Sequence, residues 1–153
     1  MDKGYFPYGK KSKEFLLKRS LYLCDYLIKK GVDEIILACN TLSIVALPFL
    51  KLFYNNIRGV FEELIPYINS NSLIISSLTT KNALKEILPN KIINGNKLIY
   101  KIENNIDITN DLKILNQIAK NYSNIIFACT HFINIDYPFN IPIYKNMNKH
   151  NNL

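Results

Sequence analysis

Two segments of the chain repeat one pattern, and this repeat constrains the fold more than any other feature. Residues 21–39 and 112–129 each contain an amphipathic helix, a short turn and an apolar strand that ends in Ile-Ile-x-Ala-Cys. A short, continuously apolar strand that follows a helix is typical of a buried strand in a parallel sheet. The two segments align with one gap, and a threonine follows each cysteine within two residues. We therefore predict two related halves, each presenting a cysteine at the carboxyl end of a strand.

Strands and helices alternate along the chain. Ser12 is the expected N-cap of a helix from Lys13 to Lys30 that ends at Gly31. Further helices are predicted over residues 43–54 and 63–69, from a cap at Thr79 or Thr80 to Leu88, and from a cap at Thr109 to Asn121. Strands are predicted over residues 34–38, 57–61, 73–77, 98–102 and 124–128, with a weak strand near 141–144. Such alternation indicates a parallel α/β architecture.

This order of elements predicts an α/β fold of two pseudo-symmetric lobes with mainly parallel sheets flanked by helices. Residues 1–61 would form an incomplete first lobe and residues 62–133 the second, with residues 134–153 a candidate for a return to the first. In open α/β sheets, ligands bind beyond the carboxyl ends of the strands. The active site is therefore expected in the cleft between the lobes, with Cys39 and Cys129 on opposite walls.

The basic character of the chain does not indicate a nucleic-acid partner. The formal charge of +7 comes from basic residues that are scattered and lack interleaved aromatic side chains. No apolar run approaches the roughly 20 residues of a membrane span, and the N-terminus lacks the apolar region of a signal peptide. Three cysteines without a C-x-x-C spacing fit a reduced compartment. We expect a cytoplasmic protein without nucleic-acid or membrane partners.

Two thiols on opposite walls of one cleft have the geometry that inversion of a stereocentre requires. One thiolate removes a proton from one face of a Cα atom, and the other thiol delivers a proton to the opposite face. Backbone N–H groups and the polar residues that follow the cysteines can hold a carboxylate; these residues are Asn40, Thr41, Thr130 and His131. The sequence has no phosphate-binding glycine loop and no recognisable pyridoxal-phosphate lysine, so we expect no cofactor and no metal.

Other interpretations of the same residues stay open at this point. A cysteine at a strand end is often a small buried apolar side chain, and Cys24, on the apolar face of a helix, is assigned to the core. Cys39, Cys129 and His131 together could bind zinc, although their spacing is not typical of a zinc site. Cys129 and His131 could instead form a nucleophilic pair for acyl transfer, which would leave Cys39 without a role. His131 could also be a satisfied core histidine.

Several motifs lie in a fixed order along the chain. Residues 2–9 read Asp-Lys-Gly-Tyr-Phe-Pro-Tyr-Gly, residues 38–41 read Ala-Cys-Asn-Thr, and residues 129–131 read Cys-Thr-His. Shorter elements occur at residues 58–62, 77–80 and 102–105. In content, order and spacing these motifs resemble those of the aspartate/glutamate racemase family, and within it the glutamate racemases. The likeness covers about residues 2 to 131 with only short gaps.

The resemblance implies a role for each matching position. Cys39 and Cys129 would be the proton donor and acceptor, with His131 and Glu103 assisting Cys129. The residues implied to contact glutamate are Tyr8, Gly9, Asn40, Thr41, Thr80, Thr130 and His131. The family interconverts L- and D-glutamate without a cofactor and supplies D-glutamate for peptidoglycan. Glutamate is thus the expected partner, and a homodimer stays open.

The sequence also departs from the family's pattern. The family's N-terminal strand and Asp-Ser-Gly turn have no counterpart here, and Asp2 does not take that place. Phe132 and Ile133 replace the usual Tyr-Pro, and the chain is expected to be short at both ends. These departures keep two alternatives open: an inactive remnant or amino-acid-binding module, and an aspartate or hydantoin racemase.

Overall fold

Parallel strand pairing organises the protein. The computed structural model describes Asp2, residues 4–5 and residues 7–146. Its strands are β1 (Ile35–Leu37), β2 (Ile57–Gly59), β3 (Ser72–Ser76), β4 (Lys91–Asn94), β5 (Asn124–Ala128) and β6 (Ile143–Lys145). β1 and β2 form one sheet, the other four strands form a second in the order β4-β3-β5-β6, and all these pairs are parallel. The predicted α/β fold with parallel sheets is confirmed.

Helices flank both sheets. They are α1 (Lys13–Lys29), α2 (Asn40–Val45), α3 (Leu47–Leu50), α4 (Leu78–Lys85), α5 (Asn96–Glu103) and α6 (Thr109–Ala119). Short 3-10 helices cover Tyr8–Lys10, Val60–Glu63, Ile65–Tyr67 and Thr130–Asn134. Among the described residues, no helix is long and apolar enough to cross a membrane.

Strands β3 and β5 form the centre of the four-stranded sheet, and every residue in them is buried. Successive side chains of a strand point to opposite faces. Leu73 and Ile75 therefore pack against the apolar residues of α5 and α6 on one face, while Ile74 packs with Leu84 of α4 on the other. Burial of each such side chain stabilises the fold by about 1.5–3 kcal/mol, which is why this continuously apolar sequence forms the central strands.

The two-stranded sheet has an apolar core of its own. Leu16 and Cys24 of α1 are fully buried there and pack with β1, α2 and α3. The assignment of Cys24 to the core is confirmed, since its side chain is 2% exposed. Each sheet therefore packs against apolar clusters of its own.

Side-chain caps fix where two of the helices begin. Ser12 is the N-cap of α1, as predicted, and its hydroxyl accepts a hydrogen bond from the N–H of Phe15. The cap of α4 is Ser77 rather than Thr79 or Thr80, because the Ser77 hydroxyl accepts the N–H of Thr80. The prediction placed this cap two or three residues too late.

The predicted helix over residues 43–54 is divided into α2 and α3. Pro48 has no N–H to donate to the carbonyl of Ile44, so the helical ladder cannot run through this position. Ala46 forms the junction, and α3 begins with Leu47. Residues 51–53 form a turn rather than a further helical segment.

Two other helix predictions also need correction. The helix expected over residues 63–69 is replaced by two 3-10 turns, the second of which contains Pro66. Helix α6 starts at Thr109, but Thr109 does not cap it. The carboxylate of Asp107 accepts hydrogen bonds from both the N–H and the hydroxyl of Thr109.

The strand predicted over residues 98–102 is wrong, because these residues belong to α5. Leu98, Ile99 and Ile102 lie at helical spacing and face the core together, which a strand would prevent. The strand of this region is β4, which pairs with β3.

The described end of the chain joins the four-stranded sheet. β6 pairs with β5. The possible return of residues 134–153 to the first lobe stays a prediction, and residues 147–153 lie outside the described part. The lobe boundaries at 61 and 133 stay a prediction.

Candidate active site

The two cysteines predicted as a pair have nearly the same backbone conformation. Cys39 follows β1 and is the N-cap of α2, with φ −148° and ψ 122°. Cys129 follows β5 and is the N-cap of the 3-10 helix Thr130–Asn134, with φ −154° and ψ 134°. Each thiol therefore lies at the carboxyl end of a parallel strand and beside the first N–H groups of a helical segment. The two repeated segments of the sequence therefore end in the same local structure, a strand followed by an extended cysteine that caps a helical segment.

Both thiols line one cavity of about 710 Å³. Six further residues with predicted roles line the same cavity: Tyr8, Gly9, Glu103, Thr41, Thr130 and His131. They come from two parts of the chain, residues 8–41 and residues 103–131, which the fold brings together where the strands of both sheets end. The cavity therefore combines two thiols, several hydroxyls and one histidine.

Two residues predicted to contact a ligand do not line this cavity. Asn40 is 1% exposed, and its side-chain amide donates to the Asn146 side chain at 2.5 Å. Thr80 is completely buried behind the cavity wall. Sequence proximity to Cys39 did not reveal the direction of the Asn40 side chain, because a partner 106 residues away determines it.

Three hydroxyl groups form a closed hydrogen-bonded triangle at one side of the cavity. The oxygens of Thr41 and Ser77 are 3.1 Å apart, and the Thr80 oxygen lies 3.0 Å from each of them. Ser77 lines the cavity but was not predicted as a site residue. Its position directly after β3, at the same strand end as the cysteines, is the signal that would have identified it.

Gly9 is required at this wall by a close approach. A Cβ atom on Gly9 would lie 2.7 Å from the Cβ of Ser77 and 3.0 Å from its hydroxyl oxygen. The hydroxyl of Thr79 donates to the Gly9 carbonyl at 2.8 Å and holds the loop in place. The Pro-Tyr-Gly segment therefore packs directly on the start of α4.

Cys129 takes part in a chain of polar contacts. Its Sγ lies 3.2 Å from Nδ1 of His131, and Nε2 of His131 lies 3.0 Å from a carboxylate oxygen of Glu103. If Nε2 carries the hydrogen that Glu103 accepts, Nδ1 is free to accept from the thiol. Glu103 thereby orients the imidazole towards Cys129.

Burial controls the protonation of all three groups. It raises the pKa of Cys129 to about 12, although the backbone N–H of His131 favours the thiolate. Burial likewise raises the pKa of Cys39, against hydrogen bonds from Leu42 and Thr41. The pKa of His131 is lowered by burial, and Glu103 only partly opposes this. These pKa shifts favour neutral thiols and a neutral imidazole in the cavity.

Tyr8, another residue of the cavity wall, is held by an ion pair. Its hydroxyl donates to the Asp2 carboxylate, and Arg19 donates two hydrogen bonds to the same carboxylate at 2.9 and 2.7 Å. The hydrogen bond from Arg19 is the main reason why the pKa of Asp2 is lowered to about 2. Asp2 also lines the cavity, so a fixed negative charge lies behind Tyr8.

The remaining wall of the cavity is apolar. It is formed by one face of α1, with Leu23 and Leu27, and by consecutive residues of β1. Among the strands of the described residues β1 pairs with β2 alone, and residues of β1 line this wall. The cavity thus has a polar end at the thiols and an apolar end below α1.

A metal centre is not supported by the described residues. They contain no group of three His, Cys, Asp or Glu side chains placed to hold a metal ion. Cys24, Cys39 and Cys129 are all free thiols. The zinc interpretation therefore has no ligand set here.

The fold and the site together define a two-thiol α/β protein with its site at the strand ends. No family model matches the chain. Among curated proteins it is 35% identical over 121 residues to a glutamate racemase of Buchnera aphidicola subsp. Schizaphis graminum, covering 75% of this chain and 45% of that protein. It is 32% identical over 169 aligned positions to a glutamate racemase of Buchnera aphidicola subsp. Acyrthosiphon pisum, covering 95% of this chain and 64% of that protein.

Solved structures show the same similarity. Glutamate racemase from Campylobacter jejuni superimposes with a TM-score of 0.65 at 25% identity, covering 86% of this chain and 60% of that one. Francisella tularensis glutamate racemase in complex with D-glutamate gives a TM-score of 0.71 at 21% identity, covering 86% and 57%. The resemblance to the glutamate racemases is therefore confirmed, and the chain is related to them. It spans between 45% and 64% of the two curated relatives.

Proposed function

We propose that this chain interconverts L- and D-glutamate by a cofactor-independent 1,1-proton transfer between Cys39 and Cys129. The observation that carries the proposal is the placement of both thiols at equivalent strand ends in one cavity. Relatives of the chain are named glutamate racemases, and one of their structures contains D-glutamate. Supply of D-glutamate for peptidoglycan and a cytoplasmic location belong to the same proposal.

The reaction needs one thiolate and one thiol at its start. In one direction, His131 accepts the proton of Cys129, and the Glu103 carboxylate stabilises the resulting imidazolium. The Cys129 thiolate then removes the Cα proton, and the Cys39 thiol gives its proton to the opposite face. The substrate leaves inverted, Cys129 is protonated by the former Cα proton, Cys39 is a thiolate, and His131 is still an imidazolium. Loss of the His131 proton to solvent and uptake of one proton by Cys39 restore the starting state.

The two thiols are activated in different ways. Cys129 has an imidazole as proton acceptor, whereas the Cys39 sulfur faces the N–H groups of Thr41 and Leu42 and the Thr41 hydroxyl. Such donors stabilise a thiolate without removing its proton. In the reverse direction the Cys39 thiolate abstracts the proton, and these same donors hold its charge beforehand.

The groups around the thiols suit an amino-acid carboxylate. The hydroxyls of Thr41 and Ser77 and the N–H groups at the start of α2 and of Thr130–Asn134 can donate to carboxylate oxygens. Donors aimed at the reacting carboxylate also stabilise the negative charge that develops when Cα loses its proton. Tyr8 and Thr130 supply further polar groups at the cavity wall.

The proposal is tested by solvent exchange. Purified protein incubated with L-glutamate in D₂O should incorporate deuterium at Cα of the D-glutamate formed, as measured by mass spectrometry and chiral chromatography. Cys39→Ala or Cys129→Ala should abolish this exchange, whereas Cys24→Ala is the matched control that retains it. Wild-type protein that is folded but exchanges no deuterium with glutamate would refute the proposal.

A glutamate-binding module without turnover is the second candidate. The observation that favours it is the burial of both thiols, which raises their pKa and so disfavours the thiolate that turnover needs. Such a module would be stabilised thermally by glutamate, with no exchange at Cα. A panel with aspartate and hydantoins would separate the remaining racemase alternatives. Light scattering would test the homodimer.

A further inference from the structure

Asn146 connects the strand ends that carry the two thiols. It directly follows β6 and is 3% exposed, although its side chain is polar. The register of β6 on β5 pairs Lys145 with Phe127, so the next pair in the same register is Asn146 with Ala128. Ala128 is the residue before Cys129. Asn146 therefore lies beside the strand end that presents the Cys129 thiol.

The side chain of Asn146 reaches from there to the other sheet. Its carbonyl oxygen accepts a hydrogen bond from the amide of Asn40 at 2.5 Å, and its own amide donates to the Val60 carbonyl at 2.7 Å. Asn40 immediately follows Cys39, and Val60 immediately follows β2. One side chain thus links the ends of β1 and β2 to the end of β5 and β6.

Both hydrogen bonds are shielded from water, because Asn40 is 1% and Val60 2% exposed. A buried hydrogen bond is directional and costs free energy when it is broken without replacement. The span between the sheets at this point is therefore fixed by one asparagine rather than by apolar packing alone.

We propose that Asn146 is a positioning residue that sets the distance between the Cys39 and Cys129 thiols. It touches neither sulfur and acts through the residue next to each of them. Its effect on turnover rests on the proposed racemase function, but its effect on thiol separation does not. Transfer of a proton to and from one Cα atom needs both sulfurs at a fixed distance from it, and a misplacement of about 1 Å can lower a rate by about a hundredfold.

The chain offers a matched control. Asn124 is also a buried asparagine, 6% exposed, and its amide donates to the Tyr67 carbonyl at 2.9 Å. It lies at the amino end of β5, the opposite end of the strand from Cys129. Asn124→Leu therefore removes a similar buried hydrogen bond without touching the thiol end of the sheets.

The experiment measures the thiol separation directly. Folded wild type, Asn146→Leu and Asn124→Leu are treated with bis-alkylating reagents of graded length, and the Cys39–Cys129 cross-linked peptide is quantified by mass spectrometry. We expect the reagent length of highest yield to shift in Asn146→Leu and to stay unchanged in Asn124→Leu. We also expect kcat for racemisation to fall about a hundredfold in Asn146→Leu with little change in KM.

Two results would overturn the proposal. The first is a cross-linking profile of Asn146→Leu that matches wild type. The second is an equal shift of the best reagent length in Asn124→Leu, which would show that loss of any buried asparagine hydrogen bond changes the thiol separation. If Asn146→Leu does not fold, Asn40→Leu removes the same bond from its other partner, and the same cross-linking profile decides. If wild type shows no racemisation, the proposed function fails, while cross-linking still decides the role of Asn146.

Discussion

The protonation state of Cys129 gives the sharpest test of the site, because it needs no assumption about the substrate. The thiol and the imidazole of His131 form a close pair, with Sγ and Nδ1 3.2 Å apart. Such a pair can be neutral or can be a thiolate with an imidazolium, as in nucleophilic cysteine sites. Burial raises the pKa of the thiol to about 12 and lowers that of the imidazole, so both shifts favour the neutral pair.

The size of the effect follows from the pKa. A pKa of about 12 in place of the ordinary 9.0 lowers the thiolate fraction about a thousandfold at any pH below 9. Because only the thiolate reacts with iodoacetamide, the alkylation rate of Cys129 should rise about tenfold for each pH unit between about pH 7 and about pH 10. It should show no plateau in this range.

The assay is alkylation at a series of pH values, with the labelled peptide containing Cys129 quantified by mass spectrometry. The same peptide in urea-unfolded protein is the control and should level off near the ordinary pKa. Restricted access to the cavity would scale the whole profile but leave its shape unchanged. Rapid alkylation with a plateau below about pH 8 would refute the reasoning, because it would show a thiolate–imidazolium pair.

Three further predictions concern the walls of the cavity. Gly9→Ala should destabilise the fold by about 1–3 kcal/mol, because the added Cβ would overlap Ser77. Calorimetry should show a lower Tm, and an unchanged Tm would contradict the close approach. Since the folded pKa of Asp2 is depressed to about 2, the stability from its ionised form is complete above about pH 4 and is lost as the pH falls towards 2. Arg19→Gln should remove this contribution and move acid unfolding, followed by circular dichroism, to higher pH; superimposable acid titrations would count against it. Glu103→Gln keeps a hydrogen-bond acceptor but removes the negative charge that favours the imidazolium form of His131. NMR titration should therefore show a lower pKa for His131. A raised pKa would be inconsistent with the contact between the two side chains.

Local pattern was sufficient to predict the thiol-bearing strand ends. The two Ile-Ile-x-Ala-Cys segments have no competing periodicity, and both form strands that end just before the cysteine: Cys129 directly follows the last paired residue, and Cys39 follows it by two positions. The helix over residues 13–29 was equally clear, because a serine cap and a terminal glycine mark its ends. In these segments, local propensity and tertiary packing favour the same conformation.

The sequence was less informative where the conformation of a residue depends on contacts with residues far away along the chain. Residues 98–102 were assigned to a strand because a short apolar run fits either element, and only packing against α6 and β5 separates the two possibilities. The direction of the Asn40 side chain depends on Asn146, which a pattern within one segment cannot reveal. Ser77 was missed because a serine after a strand has many ordinary roles.

The triangle formed by Thr41, Ser77 and Thr80 has a consequence for how the cavity can respond to an arriving anion. Each hydroxyl has one hydrogen to donate and two lone pairs, so a closed ring of three uses all three hydrogens internally, and the Thr41 hydroxyl donates to Cys39 or to a ligand only when it leaves the ring. Ser77 donates to Thr80, so in the closed ring Thr80 donates to Thr41 and Thr41 donates back to Ser77. A carboxylate that takes one of these donors opens one link and leaves every oxygen in place. The protein can therefore redirect a polar group towards a ligand within the time of a hydroxyl rotation, with no movement of the chain.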